Sequence, residues 1–312
     1  MKVSRSIAYG LMVIAAIMWA TSGTFTKLAD NSKATAMEVT VFSTVFTALV
    51  LLPLIAMFDR RSLTIGRRDL IPLFVFAQIT GTFFALGWYF CVYRTGVATA
   101  VILLYAYPSI VTLASISLLS EKLTREKAMA LPLTFIGAIL VVGAQDIKSG
   151  FEFDVIGVLL GVYTAAAGAF YYIYGKKFLD KYSANTIVLY MTLFSIPVLI
   201  VIAVLMNFIA SDPQMFTHIT LTGDAWWFIF LIGLLPGAVG PIVSMVALKH
   251  IQASKASIIA SIEPVAAVVI AFLVLSETIS ILQGIGVGLV FLGVLMLRWR
   301  ETADDKLASS KT

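Results

Sequence analysis

Residues 107–124 read YPSIVTLASISLLSEKLT, and residues 263–280 read EPVAAVVIAFLVLSETIS. Slid against itself by 156 residues, the chain lays the second stretch on the first. Pro108 meets Pro264, and Leu119-Ser120-Glu121 meets Leu275-Ser276-Glu277. The register holds further on, where Phe135-x-Gly137 meets Phe291-x-Gly293. Shared apolar composition produces scattered identities. A proline, a triplet and a Phe-x-Gly in one register point to a repeated unit. Earlier in each unit, SGTFTKLAD (22–30) and AFYYIYGKKFLD (169–180) share an aromatic-then-lysine exit at a slightly different offset, as a few residues of loop insertion would give.

The composition tells what each unit is made of. The 312 residues are 60% hydrophobic and 12% charged, with a mean hydropathy of +0.98. A soluble domain carries about 25% charge. Nine windows contain no Asp, Glu, Lys or Arg: 6–26, 39–58, 70–93, 95–120, 128–145, 155–175, 182–211, 225–248 and 278–297. A tenth, 256–276, is interrupted only by Glu263. A hydrocarbon layer about 30 Å thick is spanned by roughly 20 helical residues at about 1.5 Å each. Backbone polar groups have no water to bond there, so the windows are expected to be α-helices. A membrane β-barrel would instead show short alternating segments. Ten buried helices of a soluble protein would leave almost no polar surface. The expectation is an all-α integral membrane protein with ten transmembrane helices. The first window exceeds the apolar core of a signal peptide, about 7–15 residues, and reads as a permanent helix. Cys91 is the single cysteine, so no internal disulfide is available.

If ten spans alternate, 18 of the 22 Lys and Arg residues fall on one side of the membrane. Lys27, Lys33, Arg94 and Lys148 are the four on the other. Cytoplasmic loops carry the Lys/Arg excess, which places both termini in the cytoplasm. The net charge of +5 is therefore an orientation signal rather than a nucleic-acid footprint. Trp226 and Trp227 open the eighth window and Trp299 closes the last, at depths where indole rings sit at the lipid–water interface. Five spans per unit is an odd number, so the second unit enters from the opposite side and the repeats are inverted. Such repeats are a signature of secondary transporters, with the substrate site between the halves near the midplane. The expected division is a first repeat at 6–147, a second at 152–300 and a polar cytoplasmic tail at 301–312.

Several motifs carry a family resemblance. They are MWATSGTFTK (18–27), LLYAYPSIVTLASISLLSEKLT (103–124), SIIASIEPVAAVVIAFLVLSETIS (257–280), FIGAILVV (135–142) and FLGVLMLR (291–298). With these the chain resembles the EamA branch of the drug/metabolite transporter superfamily, over about residues 6–300. The resemblance implies ten helices around a central cavity, lined mainly by spans 1, 3, 4, 6, 8 and 9. It implies alternating-access transport of small molecules, often export of amino acids or other metabolites, across a cytoplasmic membrane. The sixth span departs from the family pattern: Gly168 and Ala169 stand where a tryptophan is frequent, with Tyr171 and Tyr172 nearby.

Glu263 and Pro264 are the anomaly of the ninth span. Proline withholds the donor that the Ala260 carbonyl would have in a continuous helix and bends it, and Pro108 does the same to Leu104. A charged side chain at the bilayer centre costs about 3 kcal/mol on insertion scales, so such residues mark function or find a partner. Two roles stay open for Glu263: a cavity group that meets a substrate amine or carries a coupling proton, or a hydrogen-bonded brace at the kink. Candidate substrate contacts follow helix faces: Trp19 and Ser22, Gln78 and Tyr89, Tyr105 and Ser109, Tyr171, and Ser257 and Ser261. The competing role for hydroxyls is to join helices. A mixed aromatic and hydroxyl lining suits an amphipathic organic solute better than a bare ion. Glu121 and Glu277 are expected to complement the dipole of the helix that follows each. Gly284 and Gly288 are expected to allow close helix packing.

These features predict a gradient-driven transporter of an amino acid or related amphipathic metabolite, in the direction of export. A passive facilitator or an uptake carrier of the same fold is the alternative. The chain has no G-x-x-x-x-G-K-[ST] loop and no H-E-x-x-H, and His218 and His250 map to opposite sides. No catalytic residue, metal ligand or cofactor is predicted. The expected partners are a small-molecule substrate and the lipid bilayer, without nucleic acid, in a monomer or homodimer.

Overall fold

The third charge-free window is not one regular helix. In the computed structural model, which describes residues 4–30, 34–143, 154–209, 221, 223–276 and 278–309, it is α-helical over Leu70–Ala77 (α3), π-helical over Gln78–Thr82, and α-helical again over Phe83–Leu104 (α4). Helices α1 (Arg5–Asp30) and α2 (Ala36–Phe58) precede it. Helices α5 (Tyr107–Leu118) and α6 (Arg125–Gly143) complete the first half. The second half follows the same plan. It runs α7 (Val155–Phe178), α8 (Ala184–Ile209), α9 (Gly223–Ile232), a π-helical Gly233–Val239, α10 (Gly240–His250), α11 (Ala253–Ala260), α12 (Glu263–Leu275) and α13 (Ile281–Ser309). Every regular element among the described residues is helical. Among the described residues, eight stretches are long and apolar enough to cross a membrane, and Ile281–Leu297 is a shorter apolar helix. The chain is a multi-pass membrane protein.

Local chemistry sets the helix starts. Thr35 and Glu38 form a capping box on α2: Glu38 N–H donates to Thr35 Oγ1 at 3.2 Å, and Thr35 N–H donates to Glu38 Oε2 at 2.8 Å. Asp154 caps α7 by accepting from Gly157 N–H at 2.6 Å. The surface is apolar, as lipid requires: Phe58, Phe208 and Ile281 are 80%, 82% and 85% exposed. The interior holds the hydroxyls instead. Thr82, Ser115, Thr164, Ser244 and Ser254 are buried; Ser244 bonds Tyr171 of α7, and Ser254 bonds Glu121 of the other half, joining helices that gain no hydrophobic drive from lipid.

The breaks recur at the repeat spacing. Gly96 sits in the left-handed region (φ 76°) inside α4, which glycine alone adopts without strain. Its repeat partner Gln252 is extended (φ −65°, ψ 143°), just before α11. The turn at Tyr105–Ala106 matches the turn at Ser261–Ile262. Ser120 (φ 54°) matches Ser276 (φ 57°), the two non-glycine residues with positive φ among those described. Both π segments also fall in corresponding places.

The halves embrace reciprocally. The first helix of each packs on the broken spans of the other: α1 on α10 and α12, α7 on α4 and α5. The last helices, α6 and α13, form the most extensive pair, and they run antiparallel. Gly137 lies against Gly286 and Val290, and its partner Gly293 lies against Ala130 and Thr134, which are the repeat partners of those two. A Cβ on Gly137 would come within 2.7 Å of the Val290 side chain and 2.8 Å of the Gly286 carbonyl oxygen. Such isologous contact is the mark of two-fold symmetry. Gly137, Gly286 and Gly293 make the close approach, whereas Gly284 and Gly288 would have open space around a Cβ. The expected glycine packing therefore falls on neighbours of the residues named for it.

The prolines act differently from the expected kink. Pro108 and Pro264 sit in the first turns of α5 and α12, where a missing N–H costs no helical bond. The spans are broken before them rather than bent at them. Glu277, Lys148, His218 and the side chains of Trp299 and residues 301–312 lie outside what is described. Trp227 is exposed to the lipid side, and Trp226 packs edge-on against Phe42 at 4.8 Å.

Candidate functional site

Two connected cavities lie where the broken spans meet. The inner one, about 270 Å³, is lined by Trp19, Ser22, Thr80, Phe84, Tyr107, Gly168, Tyr171, Tyr172, Met191 and Glu263, among others. The outer one, about 610 Å³, shares Ser22, Phe84, Met191, Pro236 and Pro241 with it. It continues past Thr26, Thr40, Trp88, Tyr89 and Val92 toward the ends of α1 and α4. Each half contributes its π segment: Thr80 and Gly81 come from one, Pro236 and Gly237 from the other. A π segment widens the backbone spiral locally and is frequent at functional sites.

The rings have fixed mutual geometry. Trp19 meets Tyr171 edge-on with centroids 6.2 Å apart. Tyr107 and Tyr172 stack at 5.7 Å with planes 3° apart. Tyr171 and Ser244 share a 2.6 Å hydrogen bond that holds the phenol on α10. Gly168 leaves room for the Tyr107 ring, which lies 3.5 Å from where its Cβ would be. Glu263 faces this group and has no hydrogen bond or ion pair among the described residues.

The predicted contacts divide. Trp19, Ser22, Tyr171 and Glu263 line the inner cavity, and Tyr89 lines the outer one. Gln78, Tyr105, Ser109, Ser257 and Ser261 line neither. Gln78 donates to the Phe194 carbonyl at 2.9 Å, across to α8. Ser257 donates to the Ser254 carbonyl at 2.9 Å, and its own carbonyl accepts from Tyr107 at 3.4 Å. Tyr105 and Ser261 are buried in packing. A helix-face argument groups Tyr105 with Ser109 and Ser257 with Ser261, whereas the lining residues of the same two spans are Leu104, Tyr107 and Glu263. The lining residues it misses, Thr80, Pro236, Pro241 and the α2 hydroxyls, had a signal. QITGT (78–82) and GLLPGAVGP (233–241) are interruptions at corresponding places in the two halves, and such pairs point to transporter sites.

On the other side of α11 lies a polar pocket of about 580 Å³, lined by residues including Arg5, Glu121, Lys176, Asp180, His250 and Lys255. It shares no residue with the two cavities. All of α11 except Lys255, which lines this pocket, is buried. Glu121 holds its N-terminal end: the carboxylate accepts from Ala253 N–H at 2.7 Å, from the Ser254 hydroxyl and from Lys127 Nζ at 3.1 Å. Burial pushes the Glu121 carboxyl up, but Ser254, Lys127 and Ala253 outweigh it and hold it below the ordinary carboxylate value. Lys176 closes the preceding helix, donating to the carbonyls of Leu248 at 2.5 Å and Ile251 at 2.8 Å, where a cation complements the helix C-terminus. Glu121 thus serves a helix of the other half, not the helix that follows it.

The EamA-like transporter family matches the chain twice, over residues 6–143 and 155–299. An uncharacterized transporter of Archaeoglobus fulgidus is 25% identical over 301 residues, 95% of this chain and 98% of its own. The uncharacterized transporter YyaM of Bacillus subtilis is 26% identical over 179 residues, 57% of this chain and 56% of its own. A protein crystal structure with 16% identity covers 94% of this chain and 97% of its own with a TM-score of 0.79, a likeness of fold alone.

Proposed function

Because the chain belongs to the EamA-like transporter family, we propose that it is a secondary transporter exporting a small amphipathic organic metabolite across the cytoplasmic membrane by alternating access. In this reading the chain crosses the membrane ten times as two inverted halves, with both termini in the cytoplasm and the halves meeting between 147 and 152. The observation that carries it is the cavity at the crossing of the broken spans, with Glu263 lining it and without a hydrogen-bond or ion-pair partner among the described residues. An intramembrane carboxylate that no protein group satisfies is set to meet cargo or proton.

Trp19, Ser22 and Tyr171 hold the body of the cargo and Tyr89 marks its way out. Glu263 takes its polar end and gives it up on protonation. In the described conformation both cavities lie on one side of α11, and the contacts of Glu121 close the other side. The opposite conformation requires α11 to part from Glu121. The broken spans supply the hinges, with Pro108 and Pro264 starting the mobile helices afresh.

The test is metabolite profiling of the medium from cells with the wild type, Glu263→Gln or empty vector, at matched membrane expression. The expected result is a compound that accumulates outside with the wild type alone. Equal accumulation with Glu263→Gln removes the carboxylate from the mechanism. Accumulation inside the cells reverses the direction. Transport that ignores an imposed proton gradient in proteoliposomes makes the protein a passive facilitator.

A further inference from the structure

The lining of the two cavities is chemically one-sided. Glu263 is the one acid among the residues that line them, and no Lys, Arg or His lines either. The titratable groups set against Glu263 are the phenols of Tyr105, Tyr107 and Tyr172, which offer no positive charge. Five rings, those of Trp19, Phe84, Tyr107, Tyr171 and Tyr172, share the inner cavity with it. The face of an aromatic ring is negative and attracts a cation within about 6 Å of its centroid. Carboxylate and rings therefore favour the same sign of charge.

An anion in this place would lose its hydration, gain no cation in return and lie against a carboxylate. A free amino acid brings such an anion with it. A bare metal ion is also poorly served: Ca²⁺ takes about 6–8 oxygens and Mg²⁺ a near-octahedral set. The inner cavity offers one carboxylate with the hydroxyls of Ser22 and Thr80 among rings. An ammonium group on an apolar body needs what is present. Its charge lies against Glu263, its body against Trp19 and Tyr171, and any remainder extends past Phe84 into the outer cavity.

Resting on the transporter reading above, we propose that the cargo is an organic cation, a protonated amine or quaternary ammonium with an aromatic or apolar body and no carboxylate of its own. The family resemblance implied amino acids among the cargoes; in this proposal the lining of the cavity narrows the class and disfavours the zwitterion.

Three probes share one ring system and differ in charge: tryptamine, tryptophan and indole-3-acetate. Their binding to the purified full-length protein in lipid nanodiscs is measured by equilibrium dialysis with radiolabelled compounds. The expected ranking puts tryptamine at least about tenfold tighter than tryptophan, with no saturable binding of indole-3-acetate. Each tenfold step is the size of one good charge contact in a desolvated site. Glu263→Gln is expected to weaken tryptamine about tenfold or more and to narrow its lead over tryptophan. Equal or tighter binding of tryptophan or indole-3-acetate overturns the proposal, and so does binding of none of the three. The wild-type ranking decides even if the variant fails to fold. Export profiling separates the two readings: a carboxylate-bearing compound moved by the wild type keeps the carrier and removes the cation.

Discussion

Glu121 and Glu263 stand at the two ends of α11, and both sit at a helix start: Glu121 at the N-terminus of α11, Glu263 as the first residue of α12. The helix dipole favours an anion at either place. Their surroundings differ. Glu121 gathers donors from Ala253, Ser254, Ser115 and Lys127, from both halves of the chain. Glu263 gathers none among the described residues and looks into a cavity. The position of an acid relative to a helix end does not assign its role; the supply of donors does. A satisfied buried carboxylate holds structure, and an unsatisfied one beside a void awaits something that is not protein.

The largest expected effect tests the satisfied acid. Glu121→Ala removes the carboxylate from the buried Lys127 ion pair, leaving the ammonium its bond to the Lys122 carbonyl, and uncaps α11. Breaking a buried pair costs about 3–5 kcal/mol. Thermal unfolding in detergent should drop accordingly, and an unchanged midpoint would refute the structural role. Ser254→Ala removes one hydrogen bond to the same charged group, for an expected loss of about 1.5–3 kcal/mol in the same assay.

Acid should act through the same carboxyl. The folded-state value of Glu121 is lowered, so its contribution is complete above the ordinary carboxylate range and is lost as pH falls through the lowered value. A stability profile of the wild type should fall more steeply below that range than one of Glu121→Gln. Parallel profiles would mean that the carboxylate gains nothing from its donors. The opposite pattern is expected of Glu263→Gln, which loses no protein hydrogen bond: a stability change under about 1 kcal/mol with transport abolished. A large destabilisation with transport intact would make Glu263 the brace after all. The smallest effect belongs to Pro264→Ala and Pro108→Ala. Each proline lies in a first turn and its loss costs less than about 1 kcal/mol in unfolding experiments.

Much of this was written in the sequence in one dimension. The repeat, the helical class and Glu263 beside a proline follow from spacing and from charge-free windows, because lipid leaves so few alternatives. The faces of the spans did not follow. Tyr105 shares a helix stripe with Ser109, and Ser261 with Ser257, yet the inner cavity is lined by Leu104, Tyr107 and Glu263, around the turns at 105–106 and 261–262. The π segments at Gln78–Thr82 and Gly233–Val239 shift the register again. The partner of Glu121 was invisible for another reason: Ala253 lies 132 residues away, and nothing in a Leu-Ser-Glu triplet says which helix it will cap.

The glycine seam between α6 and α13 has a consequence in time. Gly137 leaves the ribosome about 150 residues before the helix that covers it, which at about 5–20 residues per second is a wait of roughly 10–30 s. Through that interval the small-residue face of α6 borders lipid or the insertion machinery. The seam closes only when α13 arrives, so the two halves are latched well after the residues that line both cavities have been made. A chain stopped before residue 281 would hold the whole lining, yet stay permanently unlatched.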